Sequence, residues 1–312
     1  MSAQKNDRYI GSIMSRKINF VILFLTFFLI IPATALCAGK GIKHLTSITR
    51  DTETGRLGLL SGVFFDENRN RLYVTDTTNK RILAFDVDLK FVSEFNAGGA
   101  LEAPTFLVRN SKGQFFVAEP TKGNVLFIDI RQKSVKLIDF SGVPKANIIY
   151  PGKMTLDSSD NLYIVDKANQ RILIFDPDLR FDRQVLVKDG KGLSDVKVDS
   201  RGNIYALNTI GGSISVFDSR GNLLQTFGKK GKEKQEFDFP VSLAIHPKGV
   251  IYVVDQHKHK VLAFNKKGEF LLYFSELGWR EGRLHYPSFI CVNKAGRIFI
   301  VDRGNSRISV FE

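Results

Sequence analysis

The chain has 312 residues, 43% of them hydrophobic, and a formal net charge of +13 at pH 7. This length and apolar content argue against a disordered chain, because they are enough to build a sizeable core. With only two cysteines, Cys37 and Cys291, a disulfide framework is excluded. Cys291 stands in an apolar run, so we expect a buried, unreactive thiol.

The first 35 residues are predicted to be a secretory signal peptide. A basic segment is followed by the nearly unbroken apolar run Phe20–Ile31 and then by the small-residue stretch Ala33–Ala35. That order of basic, apolar and small residues is the one that secretory signals share. We expect cleavage after Ala35, with cleavage after Ala38 as the alternative.

Two other fates of this N-terminal segment remain open. The apolar stretch up to Ala38 is about long enough to stay in the membrane as an uncleaved anchor. Cys37 could accept a lipid, although Leu36 before it is larger than the residue such sites need. In every case the rest of the chain is expected to be exported, with membrane contact only through this segment. Export argues against nucleic acid as a partner, while the positive charge suits anionic surfaces.

A strand–turn–strand pattern recurs six times along the chain. Each copy places two runs of β-branched and aromatic residues around a polar turn, which is typical of a β-hairpin. The copies are Leu72–Asp86, Phe115–Asp129, Leu162–Asp176, Ile204–Asp218, Ile251–Asn265 and Ile298–Glu312. Their first runs end 42 to 47 residues apart. A period in the forties with only strand signals predicts an all-β, six-bladed β-propeller.

Each blade is predicted to have four strands, named a to d from the central axis outward. The sixth blade reaches only its third strand at Glu312, which would leave an unpaired edge. The strand-like stretch Ile42–Ile48 is predicted to fill that place, so that an N-terminal strand closes the ring. Residues 39–312 then form a single domain. The first inner strand, near Gly62–Asp66, is expected to be the most irregular.

The turn between strands b and c carries a recurring Asp-x-x-Asn-x-Arg motif. It is present at Asp76–Arg81, Asp166–Arg171 and Asp302–Arg307, and Asp255–Lys260 is a softer match. Together with Phe-Gly-x-x-Gly and a following proline, the motif resembles the NHL repeat family over Gly58–Glu312. The resemblance implies a propeller fold. For function it implies a choice among binding scaffolds, a few lyases and related lactone hydrolases.

Two repeats depart from the motif, because Glu119 faces Asn124 and Asn208 faces Ser213. In the others, the acid and the base bracket a tight turn, so we expect a structural charge-assisted hydrogen bond rather than a ring of basic ligands. The expected pairs are Asp76 with Arg81, Asp166 with Arg171, Asp255 with Lys260, and Asp302 with Arg307.

Candidate ligand-binding residues form two groups. Exposed aromatic and arginine side chains make good binding anchors, and the loop before the sixth blade offers Trp279, Arg280, Arg283 and His285. Residues near the mouth of the central channel would serve a catalytic alternative, and they are Lys153, Asp195 and His246. No nucleophile motif and no diagnostic metal-ligand spacing occurs, so no catalytic residue, metal or cofactor is assigned.

We therefore expect an exported, non-catalytic propeller that binds a protein, peptide or glycan through one loop face. The alternative is a hydrolase or lyase of the lactonase or amidating-lyase type, in a form that could depend on a metal. Metal analysis of the purified protein would separate these two hypotheses.

The signal-peptide hypothesis predicts the start of the exported protein. N-terminal sequencing of material recovered outside the cytoplasm should begin at Leu36, because Ala35 completes the small-residue cleavage site. Recovery of the intact N-terminus in the membrane fraction would instead establish the anchor.

Overall fold

A computed structural model describes residues 41–49, 55–187 and 192–312. Residues Ile42–Glu312 make one compact unit, and the predicted signal segment lies outside the described residues. In the described part, no helix has the length and apolar character needed to span a membrane. Its helical elements are single 3₁₀ turns, namely Ala97–Gly99, Pro120–Lys122, Ala146–Ile148 and Arg303–Asn305.

The strands that the structure describes form six antiparallel four-stranded sheets, which are the predicted blades. From the inner strand outward, blades 1 to 3 are β2 (Leu60–Asp66), β3 (Arg71–Asp76), β4 (Arg81–Phe85) and β5 (Phe91–Phe95); β6 (Phe106–Arg109), β7 (Phe115–Glu119), β8 (Asn124–Asp129) and β9 (Ser134–Leu137); and β10 (Pro151–Leu156), β11 (Leu162–Asp166), β12 (Arg171–Phe175) and β13 (Phe181–Leu186).

The second half of the ring repeats this arrangement. Blades 4 to 6 are β14 (Leu193–Val198), β15 (Ile204–Asn208), β16 (Ser213–Phe217) and β17 (Leu223–Phe227); β18 (Pro240–Ile245), β19 (Ile251–Asp255), β20 (Lys260–Phe264) and β21 (Phe270–Phe274); and β22 (Pro287–Val292), β23 (Ile298–Asp302), β24 (Arg307–Phe311) and β1 (His44–Ile48). The all-β, six-bladed prediction is confirmed.

The core lies between neighbouring blades, because each sheet packs both of its faces against another sheet. Every residue of the middle strands β11 and β12 is buried, whereas the outer strand β5 is largely exposed. One core cluster joins Val165 and Ile172 of blade 3 to Val196 and Ala206 of blade 4. Strands covered on both faces read as continuous apolar runs rather than alternating ones, which explains the sequence pattern.

The ring is closed by the N-terminal strand, as predicted. Strand β1 pairs antiparallel with β24, with Ser47 opposite Ser309 and Ile48 opposite Ile308. At the other end of the pair, Lys43 and Glu312 exchange two backbone hydrogen bonds of 2.7 and 2.9 Å. This pairing covers the edge that blade 6 would otherwise expose.

The irregularity expected in the first inner strand is a feature of most blades. In β2 the register shifts between Leu60 and Val63, and the inner strands β10, β14, β18 and β22 shift at the equivalent place. A β-bulge turns the side chains beside it in a new direction. Here the bulges lie where the inner strands begin, at one end of the central channel.

Removing β1 should open the ring. A chain that starts at Thr49 loses the backbone pairing to β24 and the buried side chain of Ile48, so its free energy of unfolding should fall by roughly 3–5 kcal/mol. Urea denaturation would measure this loss against a control chain that starts at Gly41 and keeps β1. Equal stability of the two chains would contradict closure by β1.

Candidate functional site

The b–c turns and the d–a loops share one face of the propeller, called here the loop face. A fully buried aspartate ends strand b in four of the blades, at Asp76, Asp166, Asp255 and Asp302. Each of these carboxylates accepts a hydrogen bond from the backbone of the incoming d–a loop. The donors are the N–H groups of Gly58 (3.1 Å), Tyr150 (3.2 Å), Asp238 (2.7 Å), Phe239 (3.1 Å) and His285 (2.8 Å).

Three of the predicted turn pairs are ion pairs in the structure. The Nε–Oδ2 distance is 3.0 Å for Arg81–Asp76 and 2.8 Å for both Arg171–Asp166 and Arg307–Asp302. Arg171 and Arg307 are buried. In each pair the acid ends strand b and the base begins strand c of the same blade.

The structure contradicts the predicted pair of Asp255 with Lys260. In the contacts of the described residues the two side chains form no ion pair, although their backbones lie opposite each other. The ammonium of Lys260 instead lies 4.1 Å from the ring centroid of Tyr273 on the outer strand. Lysine has one flexible point charge, so an aromatic face can draw it away, whereas the arginine fork keeps its carboxylate.

Glu119 performs the same task in the departing second repeat. Its Oε1 accepts the N–H groups of Glu102 (2.7 Å) and Ala103 (2.8 Å) in the incoming loop. The longer side chain reaches the loop without an arginine partner, because Asn124 stands opposite it. The carboxylate–loop bond is therefore more general than the Asp–Arg pair.

The loop before blade 6 presents an aromatic cluster, the aromatic patch, made of Trp279, His285, Tyr286 and His259. Trp279 is 71% exposed and Tyr286 is 48% exposed. Ring centroids lie 5.5 Å apart for Trp279–His285, 4.9 Å for His285–Tyr286 and 4.8 Å for His259–Tyr286. His259 comes from the b–c turn of blade 5, and its Nδ1 accepts the N–H of Tyr286 at 3.0 Å.

The two arginines predicted beside this patch differ in their surroundings. Both are exposed, but Arg283 forms an ion pair with Glu276. The backbone carbonyls of both accept hydrogen bonds from Arg307, at 2.7 and 2.9 Å. The loop that carries the patch is thus fixed by blade 6 itself.

The mouth of the central channel brings together two of the three residues predicted there. Lys153 and Asp195 interact electrostatically, and both are buried. His246 does not join them. It follows the last residue of β18, in the a–b turn at the opposite end of the inner strand, where its Nδ1 accepts the N–H of Lys248.

Asp195 is fully engaged by the surrounding chain. Its Oδ2 accepts Ser242 Oγ (2.7 Å) and Leu243 N (3.0 Å), and its Oδ1 accepts Lys197 Nζ (2.7 Å). Burial raises the pKa of this carboxyl, but Lys197, Lys153 and these hydrogen bonds outweigh burial and hold the pKa below its ordinary value. Through these hydrogen bonds the carboxylate ties the neighbouring inner strands β14 and β18 together.

Lys153 is the unusual cation of the channel. Its ammonium donates to the carbonyl oxygen of Val241 and lies 5.1 Å from the ring centroid of Phe289. Burial, reinforced by the nearby Lys197 and Lys167, lowers the pKa of Lys153 to about 7, against the opposing pull of Asp195.

Four residues of the two candidate sites were not predicted from the sequence, namely His259, Tyr286, Lys167 and Arg303. The first two complete the aromatic patch, and the last two line the channel mouth beside Lys153. Each lies in or beside a polar turn. The contacts that join His259 to Tyr286 and Lys167 to Phe106 cross between blades, so that no local spacing marks these residues.

No group of three or more His, Cys, Asp or Glu side chains in residues 41–49, 55–187 and 192–312 is placed to hold a metal ion. Cys291 is partly exposed at the far end of the channel. Burial still raises the pKa of its thiol to about 12, which keeps the thiol protonated at neutral pH.

The ring and its loop face define a six-bladed β-propeller. The NHL repeat family model matches residues 284–311, which include β22, β23 and β24. The resemblance to NHL repeat proteins is thereby confirmed at this repeat. A search of curated protein sequences gives no significant match.

Solved structures of similar fold include two lyases. The virginiamycin B lyase of Staphylococcus aureus aligns with a TM-score of 0.62 and 14% identity over 87% of this chain and 88% of that one. A streptogramin B lyase gives 0.62 and 13% over 87% and 97%. Hydrazine synthase of Kuenenia stuttgartiensis gives 0.58 and 12% over 85% and 97%. At such identities the similarity shows the fold alone.

The buried turn pairs should carry stability that the contact of Lys260 with Tyr273 does not. Arg171→Ala should lower the free energy of unfolding by about 3–5 kcal/mol, because it leaves the Asp166 carboxylate buried without its cation. Lys260→Ala, which removes an aromatic contact, should cost about 1 kcal/mol or less. Chemical denaturation of the two variants measures both values. Equal losses would contradict the distinction between buried pair and surface contact.

Proposed function

We propose that this protein is an exported, non-catalytic propeller that binds a protein, peptide or glycan through its loop face. The observation that carries the proposal is the aromatic patch around Trp279. Exposed tryptophan and tyrosine rings beside arginine are the side chains most often found at the energetic centre of interfaces. The six-bladed scaffold supports such a role because its loops stand on a rigid ring.

The aromatic patch is held in place before any ligand arrives. Asp302 accepts the N–H of His285, and Asn305 donates to the carbonyl of Gly278 at 3.0 Å. Arg307 donates to the carbonyl of Trp279 at 3.2 Å. A surface that is already ordered loses little conformational entropy on binding, so this fixed loop favours recognition.

Two polar groups at the channel mouth also favour binding over catalysis. Asp195 and Ser242, whose chemistry could serve a reaction, are hydrogen-bonded to each other. Both side chains are fully buried. A general base or nucleophile needs to reach a substrate, and these two groups are occupied by the scaffold.

A lyase is the second candidate, because two of the similar structures are B lyases. One solved form of the staphylococcal enzyme, described as catalytically inactive, replaces a histidine by alanine. The described residues that line the mouth pocket of the present chain contribute lysines, hydroxyls and aromatic rings, and no histidine. Incubation with a type B streptogramin, followed by mass spectrometry, tests this candidate directly.

Trp279 supplies the measurement for the binding proposal. It is the only tryptophan of the chain, so the intrinsic tryptophan fluorescence reports on the aromatic patch alone. Ligands selected from a displayed peptide library and from a glycan array should shift this emission on titration. Tyr286→Ala should then weaken binding roughly tenfold or more, because a central aromatic anchor is lost.

Leu224→Ala is the matched control, since Leu224 is 57% exposed on the outer strand β17, away from the loop face. It should leave the affinity unchanged. Ligands that bind without altering Trp279 emission, or that lose equal affinity in both variants, would place recognition elsewhere. Conversion of a selected ligand into product would overturn the non-catalytic assignment.

A further inference from the structure

The channel mouth contains a cavity of about 400 Å³. Its walls are largely apolar, with Leu193, Ile210 and Phe239 among the lining residues, and three cationic side chains face the same space, namely Lys153, Lys167 and Arg303. No acidic side chain lines it within the described residues. Cavities of this size and composition suit small organic ligands.

The two lysines share one aromatic ring. Lys153 Nζ lies 5.7 Å and Lys167 Nζ 5.9 Å from the ring centroid of Phe106. Lys167 also lies 5.8 Å from the ring of Tyr150, and among the described contacts its ammonium has no hydrogen-bond acceptor. The nearby Asp195 carboxylate is already paired with Lys197 at 2.7 Å. Among the described residues, the positive charge at the mouth therefore exceeds the negative charge available to it.

Burial makes this excess costly. It lowers the pKa of Lys167 as well as that of Lys153, which means that the cationic forms lack sufficient solvation or counter-charge. The Ser288 hydroxyl adds an unused polar atom, because its Oγ is buried without a hydrogen-bond partner. An anionic group between the lysines would supply counter-charge to both and a hydrogen-bond acceptor to Lys167.

We propose that the channel mouth is a binding site for a small organic anion. Its carboxylate or phosphate group lies between the ammonium groups of Lys153 and Lys167, and Arg303 contributes from the exposed rim. The apolar body of the ligand packs against Phe239 and Ile210. This site shares no residue with the aromatic patch, so the experiments that test it are independent of those that test the proposed function.

Isothermal titration calorimetry of the purified protein tests the site with benzoate, phenyl phosphate and inorganic phosphate. Benzoate or phenyl phosphate should bind with one-to-one stoichiometry, and the stronger of the two identifies the head group. Inorganic phosphate should bind more weakly than phenyl phosphate, because it lacks the apolar body. Absence of binding by all three at millimolar concentration would overturn the proposal.

Substitutions locate the bound anion. Lys167→Gln should weaken binding of the stronger probe roughly tenfold or more, since it removes a charge-assisted contact. Lys232→Gln removes the same charge from an exposed position on the loop face and should change the affinity less than about twofold. Equal weakening by both variants would show a diffuse charge effect and contradict a defined site.

The pH dependence gives a second readout. Asp195 and Lys197 of β14 and Lys167 of the turn after β11 are the charged groups that act on Lys153. Since an anion favours the protonated amine, benzoate affinity should be greatest below pH 7 and fall as the pH rises above it. Lys153→Gln should remove the part of this dependence that begins near pH 7. A pH-independent affinity in the parent protein, or an unchanged dependence in the variant, would remove Lys153 from the site.

Discussion

The structure depends on one repeated interaction, in which a buried carboxylate at the end of strand b accepts backbone N–H groups from the loop that enters the blade. Burying a carboxylate costs free energy unless its oxygens accept hydrogen bonds. Here the N–H groups of the loop donate these hydrogen bonds. The loop must therefore follow a path that brings them within reach of the carboxylate. Arg81, Arg171 and Arg307 reinforce the constraint, but Glu119 shows that the carboxylate suffices.

The same constraint gives the loop face its form. In blade 6 it fixes His285, and through Arg307 the preceding turn, so that Trp279 projects from a rigid base. In blade 5 it holds Phe239, whose ring stacks on that of His257 with centroids 4.4 Å apart. Phe239 in turn forms part of the channel wall. Both candidate sites are therefore positioned by the same contacts that hold the blades together.

The sequence predicts the fold well because period, hairpin pattern and turn chemistry are all local, and they agree with each other. The closing strand could be predicted because the sixth blade needs one more strand and Ile42–Ile48 has the right character. The sites are harder to predict, since they depend on contacts between blades. His259 contacts Tyr286 from the neighbouring blade. His246 was predicted near the channel mouth, but it lies at the opposite end of the inner strand β18.

Lys260 shows the same limit at the level of one side chain. The motif places it opposite Asp255, yet Tyr273 on the outer strand decides where its charge goes. Three-dimensional competition of this kind leaves no trace in the spacing of residues. Arg171 also donates to Gln184 of the outer strand at 2.7 Å, yet its guanidinium fork keeps Asp166 at 2.8 Å, and there the motif and the geometry agree.

The pairing of β1 with β24 has a consequence for how the protein folds. It joins residue 48 to residue 308, so the last sheet combines the earliest and the latest described segments of the chain. Contacts between such distant segments form slowly, because the intervening chain must first be ordered. Five blades can assemble by stacking in sequence. Until blade 6 forms, the apolar face of blade 1 that includes Phe65 is exposed, because its partner Phe299 belongs to blade 6. The interval before this meeting is when the nascent arc is most open to aggregation or to capture by a chaperone.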